Sequence, residues 1–176
     1  ARLKFEGLVD PIILGDPAEV HKILSDLGFA DFNYTIINPE TYEGFEEMKE
    51  KFLEIRKGKA TVEDAEKLLR DVNYFGVMLV KLGLADGMVS GSSSPTANVL
   101  RAAIQVIGTQ PGVKTVSSVF IMELSQFKDL FGSILVFGDC SVIPVPTSEQ
   151  LADIATSAAE TAVKIAGINP RVALMT

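Results

Sequence analysis

Between Gly87 and Ser94 the chain places four serine hydroxyls (Ser90, Ser92, Ser93, Ser94) and two glycines, Gly87 and Gly91, with no charged side chain. Thr96 and then a lone arginine, Arg101, follow in what reads as a helix. Hydroxyls and free backbone N–H groups are neutral donors, and glycine lets the backbone come close to a ligand. A helix amino terminus adds the positive end of its dipole. That combination suits a small anion, and a guanidinium six residues beyond Pro95 suits bidentate contact with phosphate or carboxylate. The same residues also make a serine-rich helix cap with no ligand, and Arg101 a solvated surface charge. Pattern alone leaves both readings open. The lysine of a Walker phosphate loop and the GxGxxG spacing of a dinucleotide site are both lacking.

Other chemistry-bearing residues have plainer explanations. Arg56 and Lys57, in EIRKGK, complement the dipole at a helix carboxyl end. Cys140, in FGDCSVIP, follows an apolar run and reads as a buried small hydrophobe. Its neighbour Asp139 is a polar candidate and equally a turn or cap residue. His21 lies on an exposed helix face and receives no role. One histidine and one cysteine allow neither a serine–histidine–carboxylate set, nor a histidine-built metal site, nor an internal disulfide. No metal is expected.

The elements that would position these residues alternate between apolar β-rich runs and capped helices, the pattern of parallel βαβ units. Strands are expected at Pro11–Gly15, Tyr34–Asn38, Met88–Val89, Thr115–Glu123, Ile134–Phe137 and Arg171–Thr176. Asp16 with Pro17 and Glu19 opens a helix that runs to Leu27 and ends at Gly28. Glu43–Lys57 is amphipathic, with Phe45, Met48, Phe52 and Ile55 on one stripe and Gly58 as the stop. Thr61 with Asp64, and Thr147 with Gln150, are capping boxes, the second opening a helix to Ala166. Asp71–Leu82 is apolar nearly all round and predicts a buried helix. Ser94 and Pro95 start the helix that carries Arg101 to Ile107. SQFKDLFGS, residues 125–133, reads as a turn or loose loop, and QPGVK marks a seam near Pro111–Lys114.

At 176 residues and 47% hydrophobic, the chain holds enough apolar material for a sizeable core in one or two domains. A net charge of −7 argues against nucleic-acid or acidic-membrane partners. No apolar run approaches the roughly 18 residues of a membrane span. A single cysteine favours a reducing, cytoplasmic setting. The chain opens on a helical pattern at ARLKFEG and stops within an expected strand at RVALMT, so a fragment is expected.

Several segments together resemble the phosphate acetyltransferase (phosphotransacetylase) family: ARLKFEGLVDPIILG, IRKGKAT, LRDVNYFGVMLVKLGLADGMVSG, RAAIQVIGTQPGVKTVSSVFIM, FGDCSVIPVPTSEQLADIA and SAAETAVKIAGINPRVAL. They run in collinear order over nearly the whole chain. The resemblance implies an α/β fold of αβα layers with a largely parallel sheet, like the isocitrate/isopropylmalate dehydrogenase architecture. Its first domain would be 1–115 and an incomplete second domain 116–176. It implies acetyl transfer between coenzyme A and inorganic phosphate, with acetyl phosphate, phosphate and coenzyme A as small-molecule substrates, no tightly bound cofactor, and a homo-oligomer.

By the same resemblance Arg56 matches an arginine of substrate binding. Arg101 matches the arginine expected to meet phosphate or the acyl phosphate. Ser90, Gly91 and Thr96 match positions lining the cleft, with Ser92 and Ser93 beside them. Here Ser92–Ser93–Ser94–Pro95 stands where the family usually shows a histidine. TANVLRA stands for TADT(V or L)RP, so Asn98, Val99 and Ala102 depart from Asp, Thr and Pro. The family's catalytic serine, arginine and aspartate are expected beyond Thr176, leaving this chain the phosphate-side part of the site. It is then expected to bind phosphate or acetyl phosphate weakly without turnover, and to expose apolar sheet edges that favour association. The alternatives are a phosphate butyryltransferase-like enzyme or a non-catalytic binding or regulatory module, like the related domain attached to some malic enzymes.

Overall fold

Side-chain caps set most of the helix starts. In the computed structural model, which describes residues 2–30, 33–124, 126 and 133–175, the Asp16 carboxylate accepts from the Ala18 and Glu19 N–H groups. It thereby opens α2 (Pro17–Asp26) after a short α1 (Arg2–Phe5) and β1 (Ile12–Leu14). β2 (Thr35–Ile37) lies parallel to β1, with Ile13 opposite Ile36. α3 (Phe45–Arg56) follows, and Lys57 closes it in the left-handed conformation at φ 48°. Thr61 and Asp64 form both bonds of the capping box that starts α4 (Val62–Leu68). Asp71 caps α5 (Val72–Lys81), and α6 is Thr96–Val106. β3 (Val119–Glu123) and β4 (Ile134–Gly138) precede α7 (Ser148–Lys164), which begins at the Thr147–Gln150 capping box.

These elements divide into two compact units, Ala1–Gly108 and Thr109–Thr176. The core of the first is helical. Phe45, Met48 and Phe52 of α3 join one buried cluster with α5, whose residues 73–79 are all buried, and with Ala102 and Val106 of α6. Tyr42 meets Phe75 edge-on with ring centroids 5.2 Å apart, and Phe52 meets Tyr74 at 6.1 Å. Gly76 sits mid-helix, where glycine costs about 1 kcal/mol relative to alanine. Its place follows from crowding: a Cβ there would lie 2.5 Å from the Met88 sulfur and 3.3 Å from Leu14.

Met88 therefore belongs to the face of α5, not to a sheet. The strand expected at Met88–Val89 does not form; Met88 packs on the core and the Val89 side chain is fully exposed. An apolar pair becomes a strand only beside a partner ladder, and none is offered to it among the described residues. Arg171–Met175, the described part of the last expected strand, is likewise unpaired and exposed.

In the second unit β3 and β4 are antiparallel, with Ile121 opposite Val136, and α7 packs on β4. A largely parallel arrangement thus holds for β1 and β2 but not for this pair. The connection over 124–133 is shorter than the dozen or more residues that a parallel crossover needs. Most of the SQFKDLFGS segment lies outside the described residues. No described helix is long and apolar enough to cross a membrane.

Candidate anion-binding site

α6 starts without a side-chain cap. Pro95 occupies its N-cap position, and no side chain bonds to the first N–H groups. Ser94, which the sequence suggests as the cap, is engaged elsewhere: its hydroxyl accepts from the Asn73 carboxamide Nδ2 at 3.2 Å. The Asn98 N–H donates to the Pro95 carbonyl at 2.9 Å, so the amino end of α6 keeps its dipole and the first two N–H groups, of Thr96 and Ala97, for something else. It faces a loop in which Gly91 adopts φ 118°, a conformation that side chains disfavour. Ser92, Ser93 and Thr96 are exposed. The Ser90 hydroxyl donates to Asn73 Oδ1 at 2.6 Å.

Arg101 is aimed by its own helix. Its Nη1 donates to Asn98 Oδ1 at 3.1 Å, and Asn98 lies in the first turn of α6. The guanidinium is drawn back toward the amino end of the helix. The side-chain oxygen that holds it is neutral, and no carboxylate pairs with Arg101 among the described residues. An exposed, uncompensated guanidinium, an uncapped helix start and clustered hydroxyls together suit a tetrahedral oxyanion.

Arg56 is placed differently. It is half-buried at the end of α3, its Nη1 donates to the Gln105 carbonyl of α6 at 3.2 Å, and its Nε is buried without a hydrogen-bond partner. It joins α3 to α6. The Tyr74 hydroxyl donates to the side chain of the same Gln105 at 2.9 Å. Burial pushes the Tyr74 phenol up, while Arg101 and Arg56 are both near enough to oppose that shift. Arg56 and Arg101 therefore share one neighbourhood around Tyr74. The residue that sequence reasoning passed over is Asn73: an amide in an otherwise apolar run, two positions after a helix cap, was the available signal.

Asp139 resolves toward the structural reading. Its Oδ1 accepts from the Ser118 N–H and hydroxyl, both at 2.7 Å, and its Oδ2 from the Val142 and Ile143 N–H groups at 2.9 and 2.7 Å. Burial works to raise its pKa, but the Ser118 hydroxyl and the three N–H groups outweigh burial and hold the carboxyl well below the usual range. Cys140 is half-buried, with its thiol directed to the Phe137 carbonyl at 3.3 Å. Among the described residues no cluster of histidine, cysteine, aspartate or glutamate is arranged to hold a metal.

Comparison with known proteins decides the family. The family described as phosphate acetyl/butaryl transferase matches residues 1–176. The chain belongs to that family. It is 43% identical over 175 residues to phosphate acetyltransferase from Bacillus subtilis strain 168, covering 99% of this chain and 52% of the relative. Against phosphate acetyltransferase from Corynebacterium glutamicum it is 41% identical over 171 residues, covering 97% and 50%. Among solved structures it is similar to a phosphotransacetylase from Streptococcus pyogenes, with a TM-score of 0.88 and 57% identity over 96% of this chain and 50% of that one. The chain thus spans about half the length of the curated relatives it matches.

Proposed function

We propose that this chain carries the phosphate-side part of a site for acetyl transfer between coenzyme A and inorganic phosphate. Membership of an acyltransferase family supports the reaction class. The single observation that carries the local assignment is Arg101, turned by Asn98 toward the open amino end of α6 with no carboxylate among the described residues to neutralise it. In this reading Ser90, Gly91, Ser92, Ser93 and Thr96 form the cradle and Arg101 the clamp, while Arg56 adds positive field from behind. Coenzyme A thiolate attacks the carbonyl of acetyl phosphate, a carbon–sulfur bond forms, the bond to the phosphate oxygen breaks, and phosphate leaves. Arg101 and the loop donors would stabilise charge on the departing phosphate, and the thiol proton passes to a general base that we assign to no residue here.

Acetyl is favoured over butyryl by the relatives' names, although the family description covers both. The dehydrogenase-like layered architecture, cytoplasmic location and a homo-oligomer belong to the same proposal. Exposed apolar side chains on the hairpin of the second unit, Phe120, Ile121, Met122 and Phe137, support association; a strict monomer in light scattering argues against it. The test of function is calorimetric titration with inorganic phosphate and acetyl phosphate. Saturable binding of both, competing with each other, is the expected result. Heat no larger than that given by chloride contradicts it, because a chain of net charge −7 has no general attraction for anions.

A further inference from the structure

We propose that Asn73 is a positioning residue that gives the phosphate loop its shape, an inference that rests on the function proposed above. Asn73 is 2% exposed within an otherwise apolar buried stretch of α5. Burying a carboxamide there is costly unless its oxygen and nitrogen find partners. Both partners come from the loop: Ser90 Oγ donates to Oδ1, and Nδ2 donates to Ser94 Oγ. Asp71 fixes the residue from its own helix by accepting from the Asn73 N–H at 2.9 Å.

Ser90 and Ser94 bracket Gly91, Ser92 and Ser93. Among the described residues no backbone N–H from Asp86 to Ser94 makes a hydrogen bond that would otherwise hold this arc. One carboxamide closes it, gripping both ends from a rigid helix. The grip does two things at once. It sets the position of the serine hydroxyls and N–H groups in front of α6, and it takes up the Ser94 hydroxyl that would otherwise cap α6. The chemistry asks for an amide: aspartate keeps the acceptor for Ser90, loses the donor for Ser94, and buries negative charge beside an anion loop.

The test compares the wild-type chain with Asn73→Ala, Asn73→Asp and Ser94→Ala, using backbone NMR order parameters over residues 90–96, calorimetric titration with inorganic phosphate, and thermal melting. Lower order parameters in the loop are expected in all three variants. Phosphate affinity is expected to fall about tenfold in Asn73→Ala, further in Asn73→Asp, and about threefold in Ser94→Ala. If Asn73→Ala fails to fold, Ser94→Ala decides, since it breaks only one of the two bonds at the loop edge, leaves Asn73 Nδ2 without its partner, and is expected to lower the melting temperature by a few degrees while the chain stays folded. Wild-type order parameters in the variants overturn the proposal, as do lowered order parameters with unchanged phosphate affinity. Absence of phosphate binding by the wild type overturns the functional reading itself, a different result from binding that is insensitive to Asn73.

Discussion

The serine loop at residues 90–94 and the turn at residues 139–143 are both short polar segments next to apolar elements, and their polar groups meet opposite fates. At the turn everything is spent. Asp139 takes two donors on each carboxylate oxygen, and the Ser118 hydroxyl, which supplies one of them, also accepts from the Cys140 and Ser141 N–H groups at 3.1 and 3.2 Å. At the serine loop the ends are tied to Asn73, while Ser92 and Ser93 are exposed with no hydrogen-bond partner among the described residues, and Arg101 has only a neutral oxygen. A polar cluster satisfied by the fold serves the fold. One that the fold braces at its edges and leaves open in the middle has capacity for a ligand.

Removing the open charge is the sharpest way to break this contrast. Arg101→Ala is expected to weaken phosphate and acetyl phosphate binding by up to about a hundredfold, the scale of a lost charge-assisted pair. Its melting temperature should not change, because Arg101 is exposed and pairs with no acid among the described residues. Titration and a melting curve read both halves.

Asp139→Ala should do the reverse. It leaves several donors facing nothing and is expected to lower the stability of the second unit by roughly 2 kcal/mol in a denaturant titration, with phosphate affinity unaltered. The same carboxylate makes stability depend on pH. Its folded pKa lies below the ordinary 3.8, so its contribution is fully present above that value and is lost as pH falls through and below it. Acid unfolding followed at the Ser118, Val142 and Ile143 amides should lose this dependence in Asp139→Asn.

Smaller changes sharpen the open loop. Asn98→Asp would give Arg101 an acidic partner on its own helix and is expected to weaken phosphate binding about threefold. Ser93→Ala, removing one exposed hydroxyl among several, should cost less than about twofold. A larger loss from Ser93 than from Asn98 would shift the site from the arginine to the serines.

Much of this was legible in the sequence because it is local. The caps at Asp16, Thr61 and Thr147 depend on residues three or four positions apart, and the Phe45–Met48–Phe52 stripe needs only helical spacing. What stayed hidden depends on partners distant in the chain. Met88–Val89 reads as a strand until Gly76, twelve residues earlier, opens a slot for the Met88 side chain. The antiparallel order of β3 and β4 was available from the short connection, but alternating apolar runs suggested crossovers. Asn73 was absorbed into an apolar helix, and its partners lie 17 and 21 residues away. At the site, Arg101 and the serines could be named from type and spacing. The use of Asn98 to aim the arginine, and the inward commitment of Arg56 to Gln105, needed coordinates.

The central claim is that the open amino end of α6, clamped by Arg101, takes the phosphate of the substrate. Its most direct measurement is a calorimetric titration of inorganic phosphate into the wild-type chain and into Arg101→Ala under identical salt. A saturable wild-type isotherm that is lost or weakened by at least about tenfold in the variant, with both proteins equally folded, is the predicted result. Equal affinities in the two proteins would contradict it.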